Sequence, residues 1–345
     1  MKMWNTSFVV FVTFTIFSIS SVYCKEQFSQ QVAGDKEFSL SQDAKSLRDA
    51  IVGLGTDENT IVSILTNRTN AQRQKIARFY QQQFDKNLVK DLSNDLSGTL
   101  KRIVKAMMME PTELLAKSLH DCINRILPDD SCVISILCTR TRYELIPIID
   151  KYLFMFNKTL LSDIDASTDG EYKVFMKTLL TPMMRDVGHV NSTVVQQKVK
   201  LIPSKPDDCD TTKSNNHALL MMMAKDSFEQ IRFIIFEHES KHNTSISEAI
   251  TANCQDDTLA KAYKTIINYA KNPAAYYAQI IKKSTAGLGT NDDTLIRTIV
   301  SRQEIDLAEI KQAYKQMYHT TLTSAVASET SGYYKKTLMA LIGPE

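Results

Sequence analysis

Two short phrases of the sequence hold the residue types that a hard cation needs. Gly53-Leu-Gly-Thr-Asp-Glu58 and Gly287-Leu-Gly-Thr-Asn-Asp292 each set two glycines around one residue, and each runs on to a basic residue, Arg68 or Arg302. Two glycines let a loop turn sharply and expose its carbonyl oxygens. The threonine and acids behind them suit the start of a helix. A loop of outward carbonyls becomes a calcium site when a carboxylate joins it. One is found at the same separation both times: Asp95 lies 40 residues after Gly55, and Glu329 lies 40 residues after Gly289. Either element alone means little, since a glycine loop often only caps a helix and an exposed acid often only meets solvent. Both elements twice, at one spacing, are specific.

A third phrase, His238-Glu-Ser-Lys-His242, has the H-E-x-x-H spacing. That pattern puts two histidines one helical turn apart on zinc, with the glutamate as base. It supports a rival reading, a secreted zinc peptidase. Against it, no third ligand stands at the metzincin spacing, and Asn243-Thr244 predicts that the helix ends there. No nucleophile elbow, phosphate loop or kinase-type phrase occurs. The chain is therefore read as a binding protein and not an enzyme.

The elements that must position these residues form a fourfold repeat. Arg68, Arg140, Lys225 and Arg302 each close an apolar helical run, and they stand 72, 85 and 77 residues apart. Tyr80 and Phe84 recur as Tyr152 and Phe156 and again as Tyr314 and Tyr318, with Leu88, Leu160 and Leu322 in the same phase. Fixed-period similarity means one unit used four times, and a period this long predicts four or five short helices in each. Ile76, Phe79, Tyr80, Phe84, Leu88 and Leu92 follow helical spacing. Only 10 glycines and 8 prolines, with 43% hydrophobic residues, favour helices around a real core. The methionine runs Met107–Met109 and Met221–Met223 read as core filler. The third repeat is irregular: Pro203, Pro206 and the polar stretch 207–216 predict a loop. Forty-one basic against 39 acidic residues leave a net charge of +2, which gives no bulk attraction to nucleic acid.

Phe8 to Ile19 is an apolar run of twelve residues, short of the roughly 20 needed to span a bilayer. With Val22-Tyr23-Cys24 as a cleavage site it reads as a secretory signal over residues 1–24, followed by a tail over 25–35. The mature chain would be secreted. Five cysteines would remain (Cys122, Cys132, Cys138, Cys209, Cys254), and the sequence leaves their pairing open, no bridge at all included. Asn67, Asn157, Asn191 and Asn243 begin glycosylation sequons whose occupancy is equally open.

The phrase G-x-G-T-[DN]-[ED] running on to Arg, with an acid about forty residues later, resembles the annexin calcium motif. The chain resembles an annexin across residues 36 to 345. The resemblance implies an all-α fold of four annexin-type repeats of about five helices each, forming a slightly curved disc. The repeats would span 36–108, 109–183, 184–270 and 271–345. It implies Ca2+ held by the carbonyls of Ile51, Gly53 and Gly55 with Asp95, and by those of Thr285, Gly287 and Gly289 with Glu329. Secondary calcium positions would use Thr56 with Glu58, and Thr290 with Asp292, while Leu54 and Leu288 would touch the membrane from the loop tips. The implied function is calcium-dependent, peripheral binding to anionic phospholipid membranes, with self-association on the membrane left open.

Departures from the family pattern shape the expectation. Val52 and Ala286 stand where a basic residue is frequent, and each such residue near a membrane is worth about 1 kcal/mol. Asp95 is one methylene shorter than Glu329. In the second repeat Arg125-Ile-Leu-Pro128 lacks glycine and Ser167 falls at the acid position; in the third, Thr211 to Ser214 replaces the loop and Cys254 falls near the acid position. Those two repeats are expected to be scaffold. Nearby Asp129, Asp130, Asp256 and Asp257 are read as charge at helix N-termini. The degenerate repeats sustain a third reading, a calcium-independent interaction protein on an annexin scaffold.

Overall fold

Apolar residues at three- and four-residue spacing demand helices that bury one face, and helices are what the chain forms. The structure is a computed structural model that describes residues 38–344 apart from 54, 182–184, 186, 189, 204–213, 243, 255 and 288. The signal and tail segments, Leu54, Leu288, Asn243 and Cys209 therefore lie outside the described residues.

Twenty α-helices, one 3-10 turn and no strand occur among the described residues, and the helices follow one another in four sets of five. The first set is α1 (Leu40–Ile51), α2 (Glu58–Thr66), α3 (Asn70–Phe84), α4 (Leu88–Asp95) and α5 (Gly98–Met108). The second is α6 (Pro111–Ile123), α7 (Asp130–Leu137), α8 (Arg142–Phe156), α9 (Leu160–Ser167) and α10 (Gly170–Leu179). The third is α11 (Ser192–Lys198), continued by the 3-10 turn Val199–Leu201, then α12 (Ser214–Lys225), α13 (Phe228–His242), α14 (Ile246–Asn253) and α15 (Asp257–Lys271). The fourth is α16 (Pro273–Ser284), α17 (Asp292–Arg302), α18 (Leu307–Tyr318), α19 (Leu322–Glu329) and α20 (Gly332–Ile342). No helix of the described residues is long and apolar enough to cross a membrane.

The chain divides into two units. The first holds residues up to 109 with 302–305 and 326–344. Its core includes Leu47, Ile61, Leu65, Ile76 and Tyr80, all fully buried, and α20 packs on α2 and α5. The second unit holds 110–301 with 306–325, and one apolar cluster runs through it from Leu115 to Ala270. Burying each large aliphatic side chain contributes about 1.5–3 kcal/mol. Met107, Met108, Met222 and Met223 are buried in these cores, as filler should be, while Met109 and Met221 are half-buried.

Local signals recur with the repeat. The helices α3, α8 and α18 end on a left-handed residue at one equivalent position: Asp85 (φ 52°), Asn157 (φ 52°) and His319 (φ 54°). Asn, Asp and His tolerate that conformation better than other non-glycine residues. Of the basic residues that close the apolar runs, Arg68, Arg140 and Arg302 are buried and Lys225 is half-buried. Arg68 grips Asp43 with Nε and Nη2 at 2.6 and 3.0 Å, both side chains buried. Arg140 donates to the Tyr277 hydroxyl at 2.7 Å.

The cysteine pairing that the sequence leaves open takes form here. Cys122 at the end of α6 is disulfide-bonded to Cys132 in α7, enclosing the loop between them. Cys254 is disulfide-bonded as well. Cys138 is a buried free thiol whose pKa burial pushes up to about 12. The three-residue cluster Cys122, Asp129 and Cys132 has the ligand types of a metal site, but its two sulfurs are spent on each other and Asp129 caps a helix.

Candidate functional site

In the first repeat the candidate loop leaves α1 at Ile51, half-buried, and turns through exposed Gly53 and Gly55. Gly55 sits at φ +93°, a conformation L side chains rarely adopt, whereas Gly53 has no such φ. The loop closes where the Asp57 N–H donates to the Ala50 carbonyl at 2.9 Å. Asp57 then caps α2, its carboxylate accepting from the Thr60 N–H at 3.1 Å and the Thr60 hydroxyl at 2.7 Å. The Thr60 hydroxyl, followed by the backbone N–H, holds the Asp57 carboxyl below the usual carboxylate range, so the cap stays ionised at neutral pH.

Asp95 is exposed and is the last residue of α4. A small network ties its helix to the loop. Arg48, in the last turn of α1, donates to Asp91 at 3.4 Å and to the Tyr80 hydroxyl at 3.2 Å, and Tyr80 donates to Asp91 at 2.9 Å. Arg48 stands one turn before the glycine loop and Asp91 one turn before Asp95. The bonds therefore fix the base of the loop to the helix that carries the carboxylate. The sequence shows Tyr80 only as a repeat marker. Its partner Asp91 is eleven residues away on another helix, a pairing that helical periodicity does not reveal.

In the fourth repeat Thr285 caps α16, and its hydroxyl donates to the carbonyls of Ile281 and Lys282. Gly287 and Gly289 lie at φ +104° and +92°. The Asn291 N–H closes the loop on the Ser284 carbonyl at 2.8 Å, matching the first repeat. Thr290 and Asp292, the expected secondary pair, are joined at 2.6 Å by a hydroxyl donated to the carboxylate. Glu329 is exposed at the end of α19. It belongs to the first unit while the 285–290 loop belongs to the second.

The second repeat keeps the closure without the glycines. The Asp129 N–H donates to the Cys122 carbonyl at 3.0 Å, and Asp129 caps α7 through the Cys132 N–H at 3.1 Å. Asp256 likewise caps α15. The acids near the degenerate loops thus do helix-capping work, as the sequence suggests. The second-repeat loop has another property. Ile126 and Leu127 stand out from it fully into solvent, at 102% and 82% exposure, with the disulfide fixing the loop's base. Arg125 pairs with Asp293 at 2.9 Å, which sets this tip beside the start of α17 and hence beside the fourth-repeat loop. Sequence reading centred on glycines passes over these two residues. The signal that exposes them is an Ile-Leu pair before proline inside a loop.

The H-E-x-x-H phrase closes α13, which ends at His242 as expected. Its glutamate is not free to serve as a base: Glu239 accepts from Lys271 at 2.6 Å and from the Ile246 N–H at 3.3 Å. Burial, and then the neighbouring His242, lower the pKa of His238.

Known proteins share this architecture. The family model described as Annexin matches residues 42–107, 115–179 and 276–341. Annexin B10 of Drosophila melanogaster is 36% identical over 307 residues, 89% of this chain and 95% of its own length. A solved structure of an annexin A8 mutant with an intact N-terminus matches with a TM-score of 0.84 and 32% identity, covering 90% of this chain and 97% of that one. A structure of calcium-bound annexin (Sm)1 matches with a TM-score of 0.77 and 25% identity, covering 90% and 92%.

Proposed function

This chain belongs to the annexin family, and from that premise we propose that it binds anionic phospholipid membranes when calcium is present. Annexins in general bind phospholipid in a calcium-dependent way. The finer reading concerns which residues of this chain do so. The carbonyls of Ile51, Gly53 and Gly55 with the Asp95 carboxylate would hold one ion. The carbonyls of Thr285, Gly287 and Gly289 would hold another, and Glu329 follows them at the sequence separation that Asp95 keeps from Gly55. Thr56 with Glu58 and Thr290 with Asp292 are the secondary positions. The observation that carries the reading is the Arg48–Tyr80–Asp91 network, which anchors a glycine turn and an exposed carboxylate to each other.

Calcium there supplies positive charge with coordination positions left for lipid phosphate or carboxylate oxygens, since it takes six to eight oxygens and such a loop offers fewer. The residues do the rest. The left-handed glycines turn the backbone, Asp57 and the Asn291 N–H hold the loop ends, and Arg48 fixes the helix behind the carboxylate. Ile126 and Leu127, with Leu54 and Leu288 by sequence, provide apolar groups for the interface. Sites with one carboxylate each belong to the weak, millimolar class, which suits calcium-rich fluid outside the cell. Secretion is supported by the apolar run over Phe8–Ile19 and by disulfides, which persist in oxidising compartments. We take 36–108, 109–183, 184–270 and 271–345 as the repeat units, each holding one set of five helices, with α15 running one residue further.

Co-sedimentation with phosphatidylserine vesicles tests the function. Binding in millimolar calcium that chelator reverses is the expected result. Binding indifferent to chelator would favour the calcium-independent scaffold reading instead.

A further inference from the structure

The third repeat alters an aromatic pair that the first two keep. Ten residues into α3 and α8 stands a fully buried tyrosine, Tyr80 or Tyr152, followed one turn later by Phe84 or Phe156. Their ring centroids are 4.9 and 5.0 Å apart. Each tyrosine donates its hydroxyl to the aspartate eleven residues on, Tyr80 to Asp91 at 2.9 Å and Tyr152 to Asp163 at 2.6 Å. In α13 the same two places hold His238 and His242, and the aspartate's place holds Ala249. The fourth repeat also has alanine there, Ala325, but keeps its tyrosine, Tyr314.

Three consequences meet at one spot. His238 is 93% buried by its 7% exposure, and among the described residues neither of its ring nitrogens has a hydrogen-bond partner. A cavity of about 550 Å³ opens there, lined by His238, His242, Glu248, Ala249 and Asn253 with Ile202 among the apolar wall. The two imidazoles lie on one face of the helix with centroids 4.7 Å apart and planes 32° from parallel. A buried polar group without a partner costs about 1–3 kcal/mol and calls for an explanation. Two histidines sharing one tetrahedral zinc, at Zn–N of about 2.0–2.1 Å, hold their ring centroids about 5 Å apart.

We propose that His238 and His242 form a binding site for a zinc-class transition-metal ion in the third repeat, separate from the calcium loops. The imidazoles are its two protein ligands. Water fills the remaining positions, and Glu248 lines the same cavity. The site is not a peptidase centre, because Glu239 is committed to Lys271 and the Ile246 N–H. Replacing the Tyr–Asp pair by His–Ala removes the hydroxyl that would fill this space and puts two nitrogen donors in its place.

Titration of the full chain with zinc chloride in calcium-free buffer, read by calorimetry and by the visible absorption of a cobalt(II) substitute, tests this. One ion per chain is expected, with affinity at least tenfold weaker in His238→Ala and in His242→Ala. His242 is exposed, so its variant leaves the core untouched. The double variant His238→Tyr, Ala249→Asp recreates the Tyr152–Asp163 pair; it is expected to fold and to lose the ion. Asp95→Asn with Glu329→Gln is expected to keep it. No zinc binding, or zinc binding unchanged in both histidine variants, would overturn the proposal. So would zinc lost only with Asp95 and Glu329. None of these results bears on calcium-dependent membrane binding.

Discussion

Asp95 and Gly55 illustrate what single residues contribute. Asp95 is exposed at a helix end, so Asp95→Asn is expected to leave stability alone. It removes the one carboxylate of the proposed first-repeat site, and the calcium needed for half-maximal vesicle binding through that loop is expected to rise about tenfold. Gly55 gives a different contrast. A Cβ there meets nothing within 4 Å, yet φ is +93°. The cost of Gly55→Ala is therefore backbone strain alone, about 1–2 kcal/mol, with weaker calcium response. Gly53→Ala, at an ordinary φ with equally open space, is expected to be nearly neutral; urea denaturation of the two variants checks the difference. These residues are legible in the sequence because glycine spacing and an acid at fixed distance leave a pattern. Ile126 and Leu127 are not, since their loop lacks the glycines and its closure by the Asp129 N–H is a backbone event without a side-chain signature.

At the scale of the element, what matters is how helices are tied. Removing Arg68 leaves Asp43 buried without its partner, and Arg68→Ala is expected to cost about 3–5 kcal/mol in denaturant unfolding. The Cys122–Cys132 bridge closes a short loop, and its removal by paired Cys→Ser substitution is expected to lower stability by about 2–3 kcal/mol. Ile126→Asp with Leu127→Asp tests the loop that this bridge holds. Both side chains are in solvent, so the fold is unaffected, and vesicle binding is expected to weaken several-fold at fixed calcium. Helix number was readable from periodicity, as α3 and α8 show, because Tyr80 and Tyr152 repeat with their flanking apolar residues. The third repeat hides its phase, since His238 and His242 replace those aromatic markers. The ties between helices were not readable, because Arg48–Asp91 and Cys122–Cys132 depend on how helices pack in three dimensions.

For the whole molecule, the repeat separates scaffold from site. All four sets keep five helices, while only the first and fourth carry glycine loops with an acid at the matching distance. The middle repeats keep their five helices without glycine loops in the sequence, and the second exposes Ile126 and Leu127 from its own loop. The most direct test is the calcium dependence of binding to phosphatidylserine vesicles, for the native chain beside the double variant Asp95→Asn, Glu329→Gln. The expected result is reversible binding by the native chain in millimolar calcium and none by the variant at the same concentration, with both equally helical by circular dichroism. A variant that binds these vesicles with an unchanged calcium midpoint would contradict the account.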